Sequence, residues 1–138
     1  MTVRFASREW IGAVVEALNL QPELPRALAG LGADAGVVVE RDGAAWPREV
    51  AAWGRHEGGR VVAWRLLADP DDLLEIGPAY VVRAPCGVWR SILSGEDPVK
   101  AILSGRVRVS GDLEALVRRS EYRRVVDAAL AAVPTEFP

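Results

Sequence analysis

Several residue types on which protein chemistry commonly depends are scarce in this chain of 138 residues, which holds one cysteine, one histidine and one methionine. With Cys86 alone, an internal disulfide and any cysteine-cluster metal site are excluded, and the residue reads as a small buried hydrophobe. Any Ser-His-Asp or Cys-His dyad would have to use His56, yet no nucleophile or orienting acid stands at a recognisable spacing from it. His56 is therefore read as a solvent-facing hairpin residue, and no catalytic residue is assigned. Asp69, Asp71 and Asp72 lack the central glycine and the later bidentate glutamate of a calcium loop. Gly30, Gly32 and Gly36 precede a strand, whereas phosphate cradles follow a strand and open a helix. No metal and no cofactor are expected.

Long apolar runs are also missing: nothing approaches the ~20 residues that span a bilayer. The opening Met1-Thr2-Val3-Arg4-Phe5-Ala6-Ser7-Arg8-Glu9-Trp10 places charges where a secretory signal needs an unbroken apolar stretch. The expectation is a soluble, cytoplasmic protein. Lys100 is the sole lysine, and a net charge of -2 gives no bulk attraction to nucleic acid, which is not expected as a partner. Arg118, Arg119, Arg123 and Arg124 form the one basic patch of note, read as the solvated side of a helix, with anionic headgroups or a coenzyme A moiety as the other reading.

What the chain does have is apolar bulk: half of its residues are hydrophobic, and five are tryptophans, at positions 10, 46, 53, 64 and 89. The length fits a single domain spanning 1–138. After Ser7, an N-cap residue, Trp10, Val14, Val15 and Leu18 recur at helical spacing until Asn19 and Pro22; Leu24, Ala27, Leu28 and Leu31 mark a second, short helix. β-Branched segments follow at Val37–Val39, Val50–His56, Val61–Leu67 and Leu74–Ala84. Turn signals at Asp42-Gly43, Gly58-Gly59 and Asp69-Pro70-Asp71-Asp72 separate them, predicting an antiparallel meander. Pro85 then opens a helix ending at Gly95, and Asp97-Pro98 opens another ending at Gly105. Arg106-Val107-Arg108-Val109-Ser110 alternates as an edge strand. Asp112 caps a final region of one or two helices, with a break near Ser120. Grouped helices with a mostly antiparallel sheet predict an α+β fold, helices stacked on one face. Periodicity alone cannot separate a packed core from a hollow one.

The segment from Trp89 to Asp112 resembles the signature of the sterol carrier protein type two family. Trp89 and Ile92-Leu93 stand before Gly95, an Asp97-Pro98 helix ends in Gly105, and Arg106 to Ser110 runs into Gly111-Asp112. Phe5 to Trp10, Leu18-Asn19 and Val133 to Phe137 are similar to stand-alone prokaryotic members of that family. The resemblance implies a five-stranded, mainly antiparallel sheet covered by helices, with an apolar tunnel between the layers that accepts a fatty acid, fatty acyl-coenzyme A, or a sterol or isoprenoid-like lipid without catalysis. Transferred by position, the tunnel walls are Trp64 and Val82 on the sheet, Trp89, Ile92, Leu93 and Ile102 on the helices after it, and Leu113, Leu116, Val117, Val126 and Leu130 on the covering C-terminal helices, whose movement is the expected gate. Transient contact with a membrane surface or with acyl-coenzyme A enzymes follows as the delivery step. The alternative is an interaction module on the same fold, its pocket filled by side chains; a large exposed apolar patch, or a dimer burying Trp46 or Trp53, would mark it.

Overall fold

Ser7 opens helix α1 (Arg8–Asn19), its hydroxyl accepting from the Trp10 N–H at 3.1 Å. The computed structural model describes residues 2–111 and 120–138; Asp112, Leu113, Leu116, Val117, Arg118 and Arg119 lie outside them. Helix α2 (Leu24–Leu28) has proline in its first turn, and Gly30, at φ 79°, turns the chain into the sheet. Strands β2 (Asp34–Glu40), β3 (Val50–Glu57) and β4 (Arg60–Leu66) follow in antiparallel order. The β3–β4 hairpin turns on Gly58 and Gly59, both with positive φ, the two-residue turn that matches strand twist.

After β4 the structure departs from the predicted meander. Leu74 belongs not to a strand but to a short helix, α3 (Asp72–Ile76), so the aspartate-rich turn starts a helix instead of joining neighbouring strands. The next strand, β5 (Tyr80–Pro85), pairs with β2 and runs parallel to it. A parallel pair needs a long crossover, and α3 is carried on it. Helix α4 (Cys86–Leu93) leads to α5 (Pro98–Leu103), capped by Asp97 Oδ1 on the Val99 N–H at 2.9 Å. Strand β6 (Arg108–Ser110) pairs antiparallel with β5 as an edge, as expected but shorter. Helix α6 (Ser120–Ala131) is the last.

The main sheet is thus five-stranded in the order β4-β3-β2-β5-β6, antiparallel at every pair but β2–β5. With its helices this is the expected α+β architecture. Two further strands, β1 (Val3–Arg4) and β7 (Thr135–Glu136), pair parallel at the two ends of the chain. The Trp10 indole N–H donates to Thr135 Oγ1 at 2.9 Å, and Phe5 packs on Phe137 with centroids 5.0 Å apart.

Alternation assigns the two faces of the sheet. Val39 joins Phe5, Trp10 and Cys86, and Ala84 joins Ala101 and Val107, so these positions face the helices. Val38 and Ala51 pack on Leu67 and Leu73 and face the other way, beneath α3. The open edge of β4 is held by α1: the Asn19 carboxamide donates to the Val61 carbonyl at 3.0 Å and accepts from the Val61 N–H at 2.9 Å. A side chain here replaces a missing strand. Replacing Asn19 by Ala strands both main-chain groups and is expected to lower stability by about 1–3 kcal/mol in urea unfolding; an unchanged midpoint would show that the edge is held by other contacts.

Candidate functional site: the layer between sheet and helices

Register places Trp64, Gly54, Ala35 and Tyr80 in one row across β4, β3, β2 and β5. The next row is Leu66, Ala52, Val37, Val82 and Val109. Both rows face the helices, for Trp64 lies so close to α1 that a Cβ at Gly12 would stand 3.3 Å from its Cζ2. Two large aromatic residues therefore flank two of the smallest residues.

The two faces of the sheet are filled differently. On the outer face a Cβ at Gly36 would meet Leu73 Cδ2 at 2.6 Å, whereas on the helix-facing side a Cβ at Gly54 would meet, among the described residues, nothing nearer than the Ala63 backbone oxygen at 3.9 Å. The valines of the central strand repeat the contrast. Val38, under the five-residue α3, is 1% exposed; its neighbour Val37, in the middle of the sheet and under the main helical layer, is only partly buried, as are Leu66, Val82 and Trp64. Close packing normally leaves few voids larger than a water molecule. Partial burial is not confined to the centre of this layer: Trp89, Ile92 and Ile102 at its margin are partly buried too, while Ala52 and Tyr80 in the central rows are buried.

Those margins contain most of the residues expected as tunnel walls. Val82, Trp89, Ile92 and Ile102 come together around Ala84, Ala101 and Val107. Trp89, Leu93 and Leu130 also pack on the cluster of Phe5, Trp10, Val39, Cys86 and Val133. Trp89 is fixed by its indole N–H, which donates to the Val38 carbonyl at 3.1 Å. Trp64 stands apart at the β4 edge, and Val126 is partly buried on α6. Leu113, Leu116 and Val117 lie outside the described residues. Sequence reasoning missed Val37, Gly54 and Tyr80; a glycine inside a strand pattern was the available signal, since it often marks a close approach or a gap.

The remaining polar candidates are engaged elsewhere. His56 is not a solvent-facing residue: it is partly buried, with Nε2 2.7 Å from the Gly32 carbonyl, because the chain entering β2 crosses the end of the hairpin. Cys86 is buried, and burial followed by the charge of Asp42 pushes its thiol up. Arg123 pairs with Asp97 and Asp127, and Arg124 with Glu23, so these two arginines of the basic patch have acidic partners. An open cleft of about 440 Å³ lies where β2 and β5 end, lined by Glu40, Arg41, Glu49, Val88, Arg106 and Arg108. Glu40 there pairs with Arg108 and with Arg83, and Arg106 with Glu96. Among the described residues no group of three or more potential metal ligands occurs, and no helix is long and apolar enough to cross a membrane.

The chain has the fold of sterol carrier protein 2. It is similar to a crystal structure of sterol carrier protein 2 at TM-score 0.73 and 19% identity, covering 91% of this chain and 97% of that one. A solution structure from Thermus thermophilus, of a conserved hypothetical protein described as possibly a sterol carrier protein, gives TM-score 0.71 at 18% identity, with 94% and 90% covered. The ligand-free sterol carrier protein 2 of Yarrowia lipolytica gives 0.60 at 8% identity, with 91% of each chain covered. A scan against protein-family models and a search of curated proteins found no match.

The glycines give a direct check on packing. Gly36→Ala is expected to destabilise by about 1–3 kcal/mol through overpacking against Leu73. Gly54→Ala, whose Cβ would make only an ordinary contact at 3.9 Å in a strand conformation, is expected to be neutral or to stabilise by about 0.4–1 kcal/mol. Urea unfolding of the two variants side by side measures the difference; equal losses would mean that the two faces are packed alike.

Proposed function

We propose that residues 1–138 form a single lipid-binding unit of the sterol carrier protein type two family, which holds an apolar ligand between sheet and helices and carries it through the cytoplasm without catalysis. The observation that carries this reading is the helix-facing row in which Gly54 and Ala35 lie between Trp64 and Tyr80, where a Cβ at Gly54 would meet no described side chain within 4 Å. The walls would be Trp64, Val82, Trp89, Ile92, Leu93, Ile102, Val126 and Leu130, with Leu113, Leu116 and Val117 completing them, and Val37 as floor.

The physical basis needs no chemistry. Burying an acyl chain of about sixteen carbons at ~0.8 kcal/mol per methylene gives roughly 13 kcal/mol, set against ~4–15 kcal/mol for immobilisation. Affinity in the micromolar range and tolerance of chain length follow. The fold similarity to proteins described as sterol carriers supports the same class of ligand. Delivery would involve brief contact with a membrane or an acyl-coenzyme A enzyme. The interaction-module reading is less favoured, because the Trp46 ring packs against Phe5 and the Trp53 indole donates to Asp34, which leaves each only partly exposed.

Two measurements test the proposal. Mass spectrometry of an organic extract of gently purified protein should find a fatty acid, acyl-coenzyme A or isoprenoid near one per chain, enriched over an unrelated protein of similar size from the same cells. Gly54→Leu, which projects a large side chain from the sheet toward the helices, should leave the protein folded and weaken binding of a fluorescent fatty acid or sterol by about tenfold or more, the equivalent of ~1.4 kcal/mol. If the wild type binds neither and carries nothing, the pocket is filled and the interaction module becomes the better reading.

A further inference from the structure

Strands β2 and β5 run parallel as neighbours and finish together, with Glu40 opposite Pro85. Beyond that point they part. The chain leaving Glu40 turns to β3 on one side, and the chain leaving Pro85 passes through α4 and α5 to β6 on the other. Where parallel neighbours send their connections in opposite directions, a crevice is left outside their carboxyl ends, the usual place for a ligand in an open sheet. The open cleft of about 440 Å³ lies there, lined by Glu40, Arg41, Glu49, Val88, Arg106 and Arg108 together with Pro85 and Gly105. None of these residues belongs to the walls proposed for the apolar layer.

The charges of the cleft are arranged unequally. Glu40, whose side chain is 17% exposed, accepts from Arg108 and lies 3.8 Å from Arg83. Glu96 accepts from Arg106, whose Nε also donates to Ser104 Oγ at 3.0 Å. These carboxylates hold Arg108 and Arg106 in place while using only part of each fork of five N–H donors, so both guanidiniums keep donors for a second acceptor. The Arg41 side chain has no partner among the described residues. Gly105, at φ 79°, leaves room between them, for a Cβ there would meet nothing described within 4 Å. Glu49, also unpaired, is the opposing charge. The first turn of α4 adds no donor from Gly87, whose N–H already donates to Asp42 Oδ2 at 2.8 Å.

We infer that this cleft is a second binding site, independent of the carrier reading, and that it takes a phosphate monoester on Arg41, Arg106 and Arg108. Three guanidiniums from the end of β2 and the approach to β6 match the three terminal oxygens of such a group and its charge of nearly -2 at neutral pH, whereas a carboxylate offers two oxygens and one charge. Pro85 and Val88 are the apolar wall for the carbon skeleton behind the phosphate. Glu49 opposes the ligand and restrains its affinity.

A free phosphorylated metabolite and the head of an anionic lipid share this chemistry, and two arms of one experiment separate them. Backbone amide NMR of the whole chain at low ionic strength, where surface charges are least screened, is titrated with glycerol 3-phosphate and, as the comparison, with acetate. Flotation with phosphatidylcholine vesicles, with and without phosphatidic acid, is the second arm. Saturable shifts confined to residues 40–49, 85–88 and 105–108, at least about fivefold tighter for the phosphate than for acetate, establish a soluble ligand; flotation that requires phosphatidic acid, without such shifts, establishes a lipid head. In either arm Arg41→Gln, which removes no contact of the fold, should weaken binding by about fivefold or more, and Glu49→Gln should strengthen it by about twofold or more. Binding in neither arm, acetate bound as tightly as the phosphate, or binding that Arg41→Gln leaves unchanged would overturn the inference.

Discussion

The carboxylate of Asp34 is held by two donors from different parts of the chain, the Trp53 indole N–H on β3 and the Ala79 amide just before β5, each at 2.9 Å. These bonds fix three central strands at their common end, and with them the parallel pairing of β2 and β5. That pairing cannot come from a hairpin. The chain leaves β4 at one edge, crosses the outer face beyond β3, and enters the sheet again past β2. In crossing it lays down α3, whose Leu73 covers Gly36 and packs on Val38. The outer face is therefore closed by a few residues, and most of the helices are left for the other face.

Away from the outer face, the buried apolar side chains of the described residues form three clusters. One is the aromatic cluster of Phe5, Trp10, Trp46 and Phe137 with Trp89 and Leu93; the second surrounds Ala84, Ala101 and Val107; the third joins Leu24, Ala27 and Leu28 of α2 to Val125 of α6. Between them the sheet presents the small residues Gly54, Ala35 and Ala52 beside Val37. On the carrier reading proposed above, a bound chain would add its contacts to this layer. Binding to the folded state alone stabilises it by mass action, so occupancy and resistance to unfolding are coupled in such an architecture.

Much of this was legible in the sequence. Ser7 and Asp97 cap the helices that their positions predict, Gly58-Gly59 makes the predicted hairpin, and Arg106 to Ser110 contains the predicted edge strand. The parallel β2–β5 pair was not legible, because a run such as Leu74 to Ala84 reads as one apolar strand. Only the tertiary contact of Leu73 with the outer face separates its first part as a helix. His56 was misplaced for the same reason: its partner is a main-chain carbonyl 24 residues away, which no local pattern encodes. The expectation of a tunnel came from resemblance alone, since a helical stripe has the same periodicity whether or not its opposite layer touches it.

The pairing of Val3–Arg4 with Thr135–Glu136 joins residues separated by nearly the whole chain. Closing so long a loop is entropically unfavourable, and two pairs of residues offset little of that on their own. They can meet only after the sheet and its helices have brought the ends into range, so this small clasp belongs among the last structure to form during folding. Because α6 ends at Ala131, a short step before β7, the far end of the final helix is secured at that same late stage. Until then that end of the helix is unsecured over the sheet, so the spacing between the two layers is set only in a chain that has finished folding.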